Sequence, residues 1–214
     1  MPVKRGRKPG DHASKRAEIA EAAYKTVLRV GIAKASLADI AREMGYTTGV
    51  LRHYFKDKEE LLLFAKNMLF DRASERTRAA AEGGEGLERL RIMVLDAVRL
   101  DAESVDRWRL LAMFNGQAIG DARLMAIQQT RNESFWGLLK EELIQLQRAG
   151  HLSADMDAAL EARGLVAFGD GLADQIIMKP KAWTSSQVQT LIGNYLDGFL
   201  TRCGTRRKPT ARTR

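Results

Sequence analysis

Residues 36–64 read SLADIAREMGYTTGVLRHYFKDKEELLLF, and the meaning of this stretch decides the fold. Leu37, Ile40, Ala41 and Met44 recur at helical spacing. Ser36 stands where an N-cap belongs, and Asp39 three residues on completes a capping-box pattern. Gly45 permits the left-handed turn that ends this short helix. Thr47 restarts a second helix, with Leu51, Tyr54 and Phe55 available to pack. Asp57 then caps a longer helix, and Glu59 and Glu60 suit the positive end of its dipole. Two short helices joined at Gly45-Tyr46-Thr47 make a helix-turn-helix. The second is polar at its start and on its outer face, and a B-DNA major groove about 12 Å wide admits such a helix. Thr48 and Gly49 are small enough to allow close approach to DNA. Hydroxyls, imidazole and phenol bond phosphate oxygens, and arginine also reads guanine bidentately.

Working outward, the apolar spacing stays helical and strand-like alternation is absent. A first helix is expected from an N-cap at Ser14, burying Ile19, Ala23, Val27 and Val30 and stopping at Gly31. The helix capped by Asp57 carries Leu61, Ala65, Met68 and Leu69 until Gly83-Gly84-Glu85-Gly86 breaks it. That glycine cluster has no preceding strand and no following Lys-Ser/Thr, so it reads as an interhelical turn rather than a phosphate loop. Further helices are expected over 87–100, 106–119, 121–148 and 155–178, the last ended by Pro180. A final one starts at the capping box Thr184-x-x-Gln187 and runs to about Leu200. The expectation is an all-α protein of about nine helices: a three-helix DNA-binding domain over 14–60 and a helical ligand-binding and dimerisation domain over 61–201.

The chain has 214 residues and a net charge of +8, concentrated at its ends. Residues 1–13 read as a basic disordered arm, and basic charge continues through Lys15 and Arg16. Residues 202–214 read as a basic tail, and the body between the two ends is net negative. Such ends attract phosphate and release counterions, or they are merely solubilising. The N-terminal one adjoins the helix-turn-helix, which favours the first reading for it. There is no signal-peptide pattern and no apolar run of the roughly 20 residues a membrane helix needs. With Cys203 as the single cysteine, a reducing cytoplasm is expected, with the protein at the bacterial nucleoid and no membrane partner. No His/Cys/Glu spacing supports a metal, no cofactor is implied, and neither G-x-S-x-G nor G-x-G-x-x-G occurs in context, so no enzyme is expected. The rival to a sequence-reading protein is a sequence-indifferent nucleic-acid binder acting through its basic ends.

The string over 36–64 resembles the DNA-binding domain of the TetR family of bacterial transcriptional repressors. The resemblance covers roughly residues 14–70 and rests on Ser36, Asp39-Ile40-Ala41, Gly45, Thr47, Gly49, Leu51, Tyr54-Phe55, Lys58 and Leu61. It departs at Tyr46, where the family has valine, and at Arg52, where it has tyrosine. The resemblance implies DNA contacts at Ser36, Thr47, Thr48, Gly49, Arg52, His53, Tyr54 and Lys58. Thr48, Gly49 and Arg52 would read bases, and Tyr54 and Lys58 would anchor phosphates. Core packing is the alternative for Tyr54, simple exposure is the alternative for His53, and Arg52 suits either a base or a phosphate.

The C-terminal half is similar to the betaine-inhibitor, choline-responsive branch through Trp108, Met113-Phe114, Asp121, Gly150, Asp155, Gly169-Asp170-Gly171-Leu172 and Pro180. That similarity implies a homodimer joined by helices 155–178 and 184–200 in a four-helix bundle. Phe168, Leu172, Ile176, Leu191, Tyr195 and Phe199 are its expected contacts. It also implies a small-molecule inducer that releases a pseudopalindromic operator. Candidate pocket residues are Trp108, Met113, Phe114, Phe135, Trp136 and Phe168, each of which ordinary core packing would also explain. Asp170 and Asp174, one turn apart, could add charge for an organic cation, or form a solvated or interfacial acidic pair.

Overall fold

The computed structural model describes residues 9–122, 125 and 133–204, and among these the chain is all-α. In chain order the helices are α1 (Pro9–Val30), α2 (Leu37–Glu43), α3 (Thr48–Tyr54), α4 (Lys58–Ala81), α5 (Gly86–Ala97), α6 (Ala102–Ala118), α7 (Glu133–Arg148), α8 (Ala158–Met178) and α9 (Ser185–Cys203). A 3-10 turn at Pro180–Ala182 links the last two. The extended pairing among the described residues is a single bridge, Leu152 with Gly204.

Several helix ends differ from the spacing-based expectation. α1 begins at Pro9 rather than Ser14, because proline is well suited to a first helical turn, where its missing N–H loses no bond. The arm expected over 1–13 therefore gives way to helix at residue 9. α6 starts a turn early because Asp101 accepts from the Ser104 N–H at 2.7 Å. α8 starts late because Asp157 caps it, accepting from the N–H groups of Ala159 (2.9 Å) and Leu160 (3.0 Å). α9 continues to Cys203, into the expected tail. Of the helix expected over 121–148, the structure shows Glu133–Arg148, while residues 123, 124 and 126–132 lie outside the described residues.

The chain forms two compact units: Met1–Ala73 with Asp106–Gln128, and Ser74–Val105 with Gln129–Arg214. This differs from a division at residue 60 for a physical reason. Leu61, Leu62, Ala65 and Leu69 of α4, with Leu110 and Phe114 of α6, are buried in the same core as Ile19, Val27, Ile40 and Leu51. Burying that apolar area is what holds the two seven-residue helices α2 and α3 against α1.

The second unit is built on α5, α7, α8 and α9. Leu90, Met93, Leu139, Leu143, Leu165, Ile176, Ile192 and Phe199 are buried in it. Asp96 of α5 draws in the end of α4, accepting from Arg76 Nε at 3.1 Å and from the buried Thr77 hydroxyl at 2.7 Å. Gln147 Nε2 donates to the carbonyls of Ser153 and Met156 and holds the chain between α7 and α8.

Candidate nucleic-acid interface

The turn between α2 and α3 is built as its residues suggest. Ser36 is the N-cap of α2, its hydroxyl accepting from the Asp39 N–H at 3.1 Å and donating to the Asp39 carboxylate at 2.5 Å. The Ser36 hydroxyl holds the Asp39 carboxyl below the usual range, with Arg42 adding to the effect. At the other end, the Gly45 N–H donates to Arg42 O at 3.1 Å and the Tyr46 N–H to Ala41 O at 2.8 Å. These are the two bonds of a Schellman ending, and Gly45 supplies its left-handed residue at φ +69°.

Thr47 then takes the N-cap position of α3 with extended backbone, but its hydroxyl makes no capping bond. Leu51, Tyr54 and Phe55 turn inward and are buried. Thr47, Thr48, Gly49, Arg52 and His53 are all exposed. The sequence of α3, TGVLRHY, contains no acid, so nothing on that helix opposes phosphate. A Cβ built on Gly49 would meet only Thr47 Oγ1, at an ordinary 3.6 Å. The domain itself therefore does not require glycine there.

Three of the expected contact residues are placed differently. Tyr54 is 5 % exposed and belongs to the core, its ring against His53 at 5.0 Å and His12 at 4.9 Å. Its alternative reading, core packing, is the one the geometry fits. The Ser36 hydroxyl is engaged in the cap just described. Lys58 is half-buried, with its ammonium 3.5 Å from the Ala33 carbonyl, and burial lowers its pKa from the ordinary lysine value.

Apart from Tyr46, nothing in the local spacing points to the residues behind α3. Lys15 donates to the Tyr46 hydroxyl at 2.8 Å and pairs with Glu18 at 2.5 Å. The hydrogen bonds that Lys15 donates to Glu18 and then to Tyr46 raise its pKa. Arg16 donates to the Tyr54 carbonyl and to Glu60, both at 2.9 Å, and its guanidinium stacks on Phe55 and Phe64. Glu60 also accepts from the Lys56 N–H at 2.8 Å, and that bond, ahead of Arg16, depresses its pKa. Lys15 and Arg16, counted in the sequence as basic charge free to meet phosphate, are thus bound within the domain. The one sequence sign was Tyr46 in place of valine, and spacing rules cannot name a partner 31 residues away.

The pocket candidates are not gathered on one unit. Trp108 and Phe114 are buried in the first unit, and Met113 packs against the same core as Phe114. Phe135, Trp136 and Phe168 are half-buried in the second. Trp136 donates from Nε1 to the Ala159 carbonyl at 3.2 Å. Its ring is flanked by Lys140 at 5.3 Å and Arg163 at 5.1 Å, so the protein's own cations already hold the positions an organic cation would take. Phe168 stacks on Tyr195 at 3.9 Å, with ring planes 9° apart. Asp170 and Asp174 lie on the exposed side of α8. Crowding by protein atoms, with the Asp174 charge second, raises the Asp170 pKa. Of the expected dimer contacts, Leu172, Ile176 and Phe199 are buried by the chain's own core. Phe168, Leu191 and Tyr195 remain partly or fully open.

An acid-free, exposed recognition helix behind a tight turn, on a three-helix base followed by a larger helical unit, defines a helix-turn-helix DNA-binding regulator. Residues 19–64 match the model of bacterial regulatory proteins of the tetR family, and residues 86–201 match the C-terminal model of BetI-type transcriptional repressors. The chain belongs to the tetR family, with a BetI-type C-terminal domain, and is a transcriptional regulator. It is 25% identical over 190 residues to the regulator PksA of Bacillus subtilis, covering 88% of this chain and 91% of that one. It is 28% identical over 201 residues to the regulator BetI of Pseudomonas paraeruginosa, covering 91% and 98%. Its fold is shared with a TetR-family regulator from Rhodococcus sp. (TM-score 0.79, 21% identity, 88% and 99% covered). It is also shared with a regulator from Saccharomonospora viridis solved in complex with choline (TM-score 0.76, 19% identity, 91% and 100% covered). Among the described residues no helix is long and apolar enough to cross a membrane.

Proposed function

We propose that the protein is a dimeric repressor that reads a pseudopalindromic operator and leaves it when a small molecule binds. The observation that carries this reading is the outward face of α3: Thr47, Thr48, Gly49, Arg52 and His53 are exposed together on a helix whose other face is locked into the core. In a two-fold dimer, two such helices ~34–36 Å apart would enter successive major grooves. Thr48, Gly49 and Arg52 read base edges, while Thr47 and His53 bond phosphates. Lys58 adds a phosphate contact from the start of α4. The protein works in the bacterial cytoplasm at the nucleoid, with α1 to α3 and the start of α4 forming its DNA-binding part and the second unit receiving the inducer. Inducer binding shifts the dimer toward a spacing that no longer fits the operator. The cations on Trp136 disfavour an organic cation at that ring, so the inducer screen begins with apolar and acidic metabolites alongside choline.

The test is selection of duplexes from a randomised pool with the full chain, followed by a salt series on the selected and a random duplex. A preferred two-fold sequence that stays bound at salt levels stripping random DNA supports the reading. On that sequence Arg52→Ala should cost ~1–3 kcal/mol, with much less effect on random DNA. No enrichment, with equal and steep salt loss on every duplex, would leave the sequence-indifferent binder as the better description.

A further inference from the structure

We infer that Lys15 and Arg16 are positioning residues for the recognition helix, a brace from α1 that sets its angle to the DNA rather than a pair of phosphate contacts; this rests on the DNA-reading role proposed for α3. The two are adjacent in sequence and reach opposite ends of α3. Lys15 holds the entry, bonding the Tyr46 hydroxyl one residue before the Thr47 cap. Arg16 holds the exit, bonding the carbonyl of Tyr54, the last residue of α3.

The entry end is a closed set of three groups. Lys15 is within 2.5 Å of Glu18 and 2.8 Å of the Tyr46 oxygen, and the Tyr46 hydroxyl is 3.4 Å from the other Glu18 oxygen. The ammonium also lies 5.1 Å from the Tyr46 ring centre. Valine at position 46 would pack but could not make these bonds, so the tyrosine adds an anchor that an aliphatic turn lacks. The exit end is closed as well. Arg16 is clamped between Glu60 and the Tyr54 carbonyl, with Phe55 at 4.3 Å and Phe64 at 4.8 Å from its guanidinium. Glu60 carries the restraint on to the Lys56 N–H in the link to α4. A seven-residue helix has too few internal bonds to hold its own orientation, so its two ends must be fixed from outside.

Base reading tolerates little angular error, whereas attraction to phosphate tolerates much. The brace should therefore act on preference, not on charge. Lys15→Met and Tyr46→Phe are the informative pair, because the second removes the same bond without altering charge. Each should lower the ratio of selected-duplex to random-duplex affinity by about fivefold, the scale of a lost contact in a coupled pair. The double variant should lose no more than either single one. The salt dependence should stay that of the wild type, where loss of a phosphate contact would reduce the slope by about one. In the free protein, amide exchange over 48–54 should speed up in both variants, a readout that needs no DNA and holds even if no operator is found.

Three results would overturn the brace. One is a reduced slope in Lys15→Met with Tyr46→Phe unchanged, which would make Lys15 a phosphate contact. Another is a lower melting temperature in both variants with the affinity ratio unaltered, which would make the bond merely structural. The third is wild-type exchange over 48–54 in both variants. A wild-type protein that selects no sequence would sink the proposed function instead, leaving the exchange measurement to decide the brace.

Discussion

Gly49 separates what the fold requires from what the interface requires. A Cβ there meets one oxygen at 3.6 Å, and the residue lies in the first turn of α3 without positive φ. Alanine forms helix more readily than glycine, by up to ~1 kcal/mol. Gly49→Ala should therefore leave the protein at least as stable, as judged by its melting temperature, yet weaken binding to the selected operator, because the added methyl stands where a groove wall must approach. Equal operator affinity in that variant would mean that position 49 does not face DNA. Gly45 is the contrasting case. It is open to solvent but held at φ +69°, so its glycine serves the backbone of the turn. Both glycines were visible in the sequence at the right places. The sequence already suggested Gly45 for the turn and Gly49 for close approach to DNA; the dihedral at Gly45 and the open space around Gly49 add that the first is needed by the backbone and the second is not needed by the fold.

The helices meet through a few long side chains, and these carry the acid sensitivity of the DNA-binding part. Glu43 of α2 accepts from the buried Thr26 hydroxyl at 2.9 Å and from Arg29 at 2.6 Å, both on α1. The Thr26 bond, then Arg29, lowers its pKa below the ordinary 4.5. A carboxyl with a depressed folded pKa adds stability above its unfolded value, and that stability is lost as pH falls through the folded one. Glu43→Gln should thus be less stable than the wild type near neutrality. The gap should close as pH drops below about 4.5, since protonation then removes the same interaction from the wild type. Asp39 and Glu60 are depressed in the same direction in both proteins, so the difference between the two pH curves isolates Glu43. A gap independent of pH would show that the Thr26 and Arg29 bonds do not depend on the charge. The helices themselves, and the caps at Ser36, Asp57 and Thr184, follow from local spacing and are legible in the sequence. The links between them, such as Thr26 to Glu43 or Lys15 to Tyr46, are not. They join residues 17 and 31 positions apart, and no local rule pairs an ordinary surface lysine with a particular tyrosine.

At the scale of the whole molecule, what remains is how one chain meets its copy. The sequence reading placed six residues on the dimer face, but half of these are spent inside the second unit, since α8 and α9 first have to bury Leu172, Ile176 and Phe199 against their own neighbours. What α8 and α9 leave outward is the other half of the six, with Leu160 added. Leu160 is 62% and Leu191 39% exposed, and Phe168 and Tyr195 are stacked in a half-open pair. Gly171 and Gly198 are exposed, and a Cβ on either would meet nothing within 4 Å. Glycine inside a helix costs about 1 kcal/mol relative to alanine, and packing within the chain gives these two no reason to be small. A partner helix approaching closely would. Gly198→Leu should therefore fold at least as well as the wild type, leucine being the better helix former, but dissociate more readily. Sedimentation over a concentration series should show the dimer weakened by about tenfold or more, ~1.4 kcal/mol, since the new side chain must be displaced from the closest point of contact. Operator binding should weaken with it, because two half-sites held by one dimer become two separate weak encounters. An unchanged dimer would move the interface off this face of α9, and with it the argument that the exposed glycines mark where two chains touch.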